Sequence, residues 1–281
     1  MILPKHLAVA AVIASALGLA SSTAYSQSAW LPPEGRFQIS PSYVYQSFQT
    51  FWMGTHRTKL SDAVVQHSAT VSMEYGLAES VALDAAVGYS RVDSKAFGPT
   101  NLSDDGLSDT RLGIRWRILD ERMTRCVYAP TLTLRAGGIV AGSYQAGPPF
   151  APGDGAHGGE ISLLAAKAFG STGFGLYGEG GYRLRSRPVP DDAFASIGAY
   201  QTLGAFTLHV AYQHTQGLSG SDIGDPGFKF PELKEINQIV EFGLGFTDSG
   251  KRYYQIFGAL NAGGRNTGDK QIIGVSASFS F

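Results

Sequence analysis

Apolar side chains alternate with small or polar ones from one end of this chain to the other, and a three-to-four-residue helical spacing is hard to find. The last run, IIGVSASFSF, is the plainest. Ile273, Val275, Ala277, Phe279 and Phe281 share one face of a strand, and Gly274, Ser276, Ser278 and Ser280 share the other. Twelve runs of this kind can be read: RFQISPSYVYQSF, SATVSMEYG, SVALDAAVGYS, TRLGIRWRI, YAPTLTLRAG, EISLLAAKAFG, FGLYGEGGYRLRS, AFASIGAYQTLG, AFTLHVAYQHT, NQIVEFGLGFT, YYQIFGALN and QIIGVSASFSF. In the sixth, the facing is ambiguous.

The connections alternate in length. Short turns fall near 76–79, 119–124, 169–173, 203–205 and 247–251. Longer polar, glycine-rich segments fall near 49–66, 93–107, 141–157 and 217–234, with shorter ones at 186–191 and 262–270. Short turns on one rim and long loops on the other, with an even strand count, are the pattern of a transmembrane barrel whose rims face different compartments. A water-soluble sandwich alternates as well, but it buries mainly Val, Ile and Leu. Here the apolar face carries aromatics near the run ends: Tyr43, Tyr45, Tyr75, Tyr89, Trp116, Tyr128, Tyr182, Tyr200, Tyr212 and Tyr254. Those are the positions of interfacial girdles. In hydrocarbon no backbone polar group is left unpaired, so such a sheet has to close on itself. The expected fold is all-β: one antiparallel up-and-down transmembrane barrel of about twelve strands over 36–281, with short periplasmic turns, longer external loops and both ends on the periplasmic side.

The first residues read as a secretory signal: Lys5, an apolar run from Leu7 to Ala20, then Ala24 and Ser26 before a cut, giving a signal peptide over 1–26. That run falls short of the roughly 20 residues that span a bilayer as a helix. Residues 27–35 form a short periplasmic segment, long enough to enter the barrel mouth and too small for a full plug. Mean hydropathy is only −0.03 and formal net charge is −1, so no general attraction to nucleic acid is implied. Cys126 stands alone, which rules out an internal disulfide. The chain carries 36 glycines, well above ordinary usage, which no disulfide framework or helical anchor explains.

If the apolar faces meet lipid, the opposite faces line the lumen. That inward set is Glu74, Asp84, Arg111, Arg115, Arg117, Arg135, Glu179, Arg183, Arg185, Gln201, His209, Gln213, Glu241 and Gln255. A charge at membrane depth has to be paired or wetted. Two readings follow: bracing ion pairs across a filled barrel, or a ladder that guides polar solutes. For a barrel hydrolase the best set is His214, Ser219 and Asp222, but Gln216 stands two residues after the histidine and Ser219 falls in a loop. The six histidines have no metal-ligand spacing, and GGRNTG and GDGAHGG lack the following helix of a phosphate cradle. No catalytic residue, metal or cofactor is expected.

The closing aromatic with apolar residues at every second position before it resembles the C-terminal assembly signal of outer-membrane proteins, with Phe279 and Phe281 as its core. Ser276 departs from it, where glycine is common. AWLPPEG, PSYVYQSF, DDGLSDTRLGIRWRILD and GGRNTG, in that order, resemble the outer-membrane proteins assigned to the meta-pathway of phenol degradation. The resemblance implies a barrel in the outer membrane that passes small aromatic or hydrophobic compounds, with the lipid bilayer and the assembly machinery as partners and no catalytic residues to match. The competing expectation is a filled structural or adhesive barrel whose external loops bind a surface partner; a lipid-modifying enzyme is the third.

Overall fold

The computed structural model describes residues 28–96, 102–145 and 152–281. The expected signal peptide therefore lies outside the described residues. Thirteen strands follow one another: β1 (Phe37–Met53), β2 (His56–Ala78), β3 (Val81–Ser94), β4 (Leu102–Leu107), β5 (Thr110–Leu119), β6 (Thr131–Val140), β7 (Gly158–Ala168), β8 (Phe174–Arg185), β9 (Asp192–Leu203), β10 (Phe206–Gly217), β11 (Ile236–Thr247), β12 (Tyr253–Arg265) and β13 (Gln271–Ser280). Each pairs antiparallel with its neighbours, and β13 returns to β1 to close the sheet. β4 and β5 both pair with β3 and are parted only by Ser108 and Asp109. The Ser108 N–H still donates to the Gly88 carbonyl at 2.8 Å, so the two strands make a single crossing. The result is a closed twelve-stranded barrel.

Alternation decides the two surfaces. On β5, Leu112, Ile114, Trp116 and Ile118 are exposed on the outside, while Arg115, between them, is fully buried. The same parity puts Ile161 and Leu163, Phe206, Leu208 and Val210, Phe242 and Leu244, and Ile273 and Val275 on the outer face. A band of exposed Leu, Ile, Val and Phe around a closed sheet is stable only against hydrocarbon. No described helix is long and apolar enough to cross a membrane.

Several expected boundaries move. The segment 49–66 is not a loop: β1 and β2 continue through it as one tall hairpin turning at Gly54, whose φ is +55°. β4 likewise lies inside the expected loop 93–107. Beyond the bilayer both strand faces meet water or other loops, so charges such as Arg57, Lys59, Asp104 and Asp105 break the apolar alternation without breaking the ladder. The expected turn at 119–124 spans 120–130. Pro130 has no N–H to extend β6 backwards, so Tyr128 sits exposed in the turn and not in a girdle. Tyr200 pairs with Gly175 and faces the interior, again off the girdle.

The external end is covered from within. Phe48, Phe51, Leu60, Val64 and Val92 form a buried apolar cluster that Ile223, from the connection between β10 and β11, packs against. That connection is held by Asp222, whose carboxylate accepts from Arg265 Nε at 2.7 Å and from Asn266 Nδ2 at 2.8 Å. These two bonds hold the Asp222 carboxyl below its ordinary range, the Arg265 bond most strongly.

Candidate functional site in the barrel lumen

The inward side chains divide into two walls. From β2 to β9 the wall is charged. Arg115 Nη2 meets Glu74 at 2.5 Å and Arg115 Nε lies 3.8 Å from Asp84. Arg135 Nη2 meets Asp84 at 2.8 Å, and its Nη1 pairs with Glu160. Arg183 bridges Glu160 at 3.1 Å and Asp192 at 3.0 Å. Arg185 reaches Asp154 at 2.5 Å and lies within 3.9 Å of Asp109 and 3.8 Å of Asp192. Base and acid thus alternate across neighbouring strands, and Arg115, Arg135, Arg183 and Arg185 each face at least one acid. Removing one member leaves buried partners with fewer counter-charges, which costs more than the pair contributes. Arg111 sits in the field of Glu160 with Arg135, Arg183 and Arg185 around it. Arg117 pairs with Asp120 at 3.1 Å where the wall meets the periplasmic turn.

From β10 round to β1 the wall is less charged. Among the described residues its one contact between strands that joins an acid to a basic side chain is His209 Nε2 with Glu241 Oε1 at 3.0 Å, and Gln255 Nε2 lies 3.3 Å from the same imidazole nitrogen. Toward the external side comes a buried apolar patch of Val44, Ile239, Phe257, Ala259 and Ile272. Beyond it Asn261 donates to Asn237 Oδ1 at 2.7 Å and Gln46 donates to Gln66 Oε1 at 2.6 Å. Gln213 shares this inner face through its pairing with Ile239 and Ser196. Glu179 faces inward opposite Ser196.

Luminal rings are seated on glycines, which accounts for part of the glycine excess. A Cβ on Gly175 would overlap the Tyr200 ring, and one on Gly198 would overlap the Tyr177 ring. The two pairs are reciprocal, since Gly175 lies opposite Tyr200 and Tyr177 opposite Gly198 across β8 and β9. Phe194 lies against Gly181, His209 against Gly243 and Phe257 against Gly274 in the same way. Each ring covers backbone that a side chain would otherwise occupy.

The periplasmic mouth holds residues 28–34. Arg115 Nη1 donates to the Ser28 carbonyl at 3.0 Å, and Thr133 Oγ1 to the Ala29 carbonyl at 2.7 Å. Trp30 Nε1 donates to Glu121 Oε1 at 3.0 Å, from a periplasmic turn that folds into the mouth. Its ring meets Tyr200 edge-on, with centroids 6.1 Å apart, beside Tyr177 and the buried Leu164 and Ala166.

Of the residues expected to line the lumen, Gln201 lies elsewhere. It pairs with the outward Phe174, and its Nε2 donates to the Thr172 and Thr202 carbonyls at the periplasmic rim. Glu160, Asp192, Asp154 and Asp109 complete the ionic wall although sequence reasoning passed over them. Glu160 was obscured because Lys167 puts a charge on the other face of the same run; that lysine reaches back to Glu121 at 3.2 Å. The hydrolase set is not assembled: His214 faces outward with Gln216 Oε1 at 3.5 Å, while Asp222 is held by Arg265 and Asn266. No group of three or more metal-ligating side chains occurs among the described residues. Phe279 pairs with Ile39 on the outer face and meets Tyr254 edge-on at 6.3 Å.

No protein-family model matches the chain, and no curated protein matches it either. Solved structures do match. An outer-membrane channel from Pseudomonas putida F1 superposes with a TM-score of 0.71 at 12% identity, over 89% of this chain and 97% of that one. The translocator domain of the autotransporter NalP from Neisseria meningitidis gives 0.53 at 12% identity, over 89% and 90% of the two chains. Identities this low speak for fold alone. The architecture of this chain is that of an outer-membrane β-barrel.

Proposed function

We propose that the chain is a passive outer-membrane channel for small solutes, aromatic or hydrophobic compounds among them, exported by the signal peptide over 1–26 and assembled through Phe279 and Phe281. The observation that carries this reading is the division of the lumen. One wall is an ion-paired brace in which every bridged arginine has an acid, and the other offers an apolar patch with few ion pairs. A braced wall keeps the barrel round without helical packing, and the apolar wall gives weakly polar solutes a surface with few charges to desolvate. The likeness in fold to an outer-membrane channel supports the same class. So does the resemblance of AWLPPEG, PSYVYQSF, DDGLSDTRLGIRWRILD and GGRNTG to the meta-pathway phenol-degradation family. Purified chain in planar bilayers is expected to give discrete conductance steps, and liposomes carrying it to take up small solutes faster than empty ones. A folded barrel that passes neither ions nor solutes overturns the reading.

A second reading, a filled barrel whose external loops bind a surface partner, is favoured by the apolar cluster under the external mouth. Shortening the 217–234 loop separates the two. It raises conductance if the loop restricts a channel, and it abolishes partner binding with no change in conductance if the barrel is filled.

A further inference from the structure

The seat of Trp30 is built without Trp30. Tyr177 and Tyr200 are held flat by Gly198 and Gly175. Leu164 and Ala166 are buried beside them. Glu121 is held from its far side, where Oε2 accepts from the Ala168 N–H at 3.1 Å and meets Lys167 Nζ at 3.2 Å. That leaves Oε1 directed at the indole N–H, and the Glu121 side chain is only 8% exposed. One ring met edge-on, a second ring alongside, an apolar floor and one fixed acceptor at the edge are the features of a ring-binding pocket with a single polar handle. What fills it is held by side chains. Among the described residues, residues 28–30 make no ladder with the barrel wall; they are held by the buried Ala29 and by side-chain hydrogen bonds to Arg115, Thr133 and Glu121. The segment meets the sheet at Glu34 and Gly35, beside Gly76.

We propose that this seat is a luminal subsite for a flat aromatic molecule bearing one N–H or O–H donor, such as an indole or a phenol, and that Trp30 occupies it until such a molecule displaces it. The proposal deepens the channel reading and rests on it for the route by which a solute reaches the site. The donor requirement follows from Glu121. A plain aromatic hydrocarbon covers the rings but leaves Oε1 desolvated and unpartnered, and a buried acceptor without a donor is penalised. Displacement swaps one ring and donor for another at Glu121, so that acceptor is satisfied in both states, while the Ser28 and Ala29 carbonyls keep their bonds to Arg115 and Thr133 and only the Trp30 side chain leaves its seat.

The test uses the full chain, refolded in detergent, with indole, phenol and toluene as probes in calorimetric titrations. Trp30→Ala is expected to bind indole and phenol at least about tenfold more tightly than the wild type, because no resident ring competes. Toluene is expected to bind at least about tenfold more weakly than phenol, since it lacks the donor. Adding Glu121→Leu to Trp30→Ala is expected to erase the preference for phenol over toluene. Equal binding of indole by folded Trp30→Ala and wild type, or no preference for phenol over toluene, overturns the proposal. Should Trp30→Ala fail to fold, fluorine NMR of wild-type chain labelled with 5-fluorotryptophan decides. Indole has to shift the Trp30 resonance, assigned with Trp30→Phe, and a resonance unmoved at saturating indole refutes the proposal. Binding is read in micelles, so the subsite can stand where bilayers show no flux, and flux can stand where the subsite fails.

Discussion

Phe37 and Phe281 exchange both backbone hydrogen bonds, with Phe37 N–H donating to the Phe281 carbonyl at 3.2 Å and Phe281 N–H to the Phe37 carbonyl at 2.8 Å. The apolar alternation of the terminal run thus has a physical reason. Its last residue completes the pair that joins β13 to β1, and its 64% exposed ring lies on the outer surface. A frayed polar end would leave the foot of both strands as an open edge.

Removing that pair is expected to slow closure. A chain lacking Phe281 should give a severalfold lower folded yield on refolding into detergent, read as the heat-modifiable band on a gel. Phe281→Tyr keeps the backbone bonds and an interfacial ring, and should refold as the wild type does.

Arg135 joins Asp84 to Glu160 and is 1% exposed. Arg135→Ala takes their shared guanidinium from two buried carboxylates, leaving Arg115 3.8 Å from Asp84 and Arg183 3.1 Å from Glu160, and should destabilise the barrel by about 3–5 kcal/mol in urea unfolding. A triple change, Arg135→Met with Asp84→Asn and Glu160→Gln, removes the excess negative charge and should recover much of that loss.

Gly198 gives the Tyr177 ring its place. Gly198→Val forces the ring away and should cost about 1–3 kcal/mol as overpacking. In the same variant tryptophan fluorescence should shift to longer wavelength, because the seat of Trp30 loses one of its ring walls. A Cβ added to Gly138 would meet nothing within 4 Å, and the residue lies on the outer face, so Gly138→Ala serves as the control with no such shift.

Asp222 secures the connection between β10 and β11, and its carboxyl is held below the ordinary 3.8 by Arg265 and Asn266. A carboxyl lowered in the folded state stabilises it above pH 3.8, and that contribution is lost as pH falls through the lowered value. Acidification below about pH 4 should therefore speed proteolysis of the 217–234 connection by an acid-active protease. Asp222→Asn should be cleaved readily at neutral pH and show little further change on acidification.

The strands were legible wherever one face meets lipid and the other the lumen, because that asymmetry imposes period two on the residues themselves. β5 is the clearest case, with Leu112, Ile114, Trp116 and Ile118 against Arg111, Arg115 and Arg117. Legibility failed where the asymmetry ends. Above the bilayer the β1–β2 hairpin carries polar residues on both faces and reads as a loop. In β7, Glu160 and Lys167 lie an odd number of residues apart and so point opposite ways, and the lysine on the outer face is near enough to the rim to reach Glu121. Gln201 sits at the periplasmic rim, where a polar side chain on the outer face finds carbonyls to bond. The Trp30 seat left no local trace. Its acceptor is 91 residues away, and only barrel closure and the inward turn of 120–130 bring the two together.

Pro41 has no N–H to give. The ladder joining β1 to β13 runs through Gln38 and Ile39, omits Ser40 and Pro41, and resumes at Ser42, while the opposite edge of β1 stays continuous with β2. Inside, a contact of 2.7 Å between the Ser40 and Ser278 hydroxyls bridges the missing rungs. Every other junction in the barrel joins strands that follow one another along the chain, so this one relies on non-covalent stitching, and its ladder skips two rungs at the proline. Under a prying load this seam is where the cylinder is expected to open.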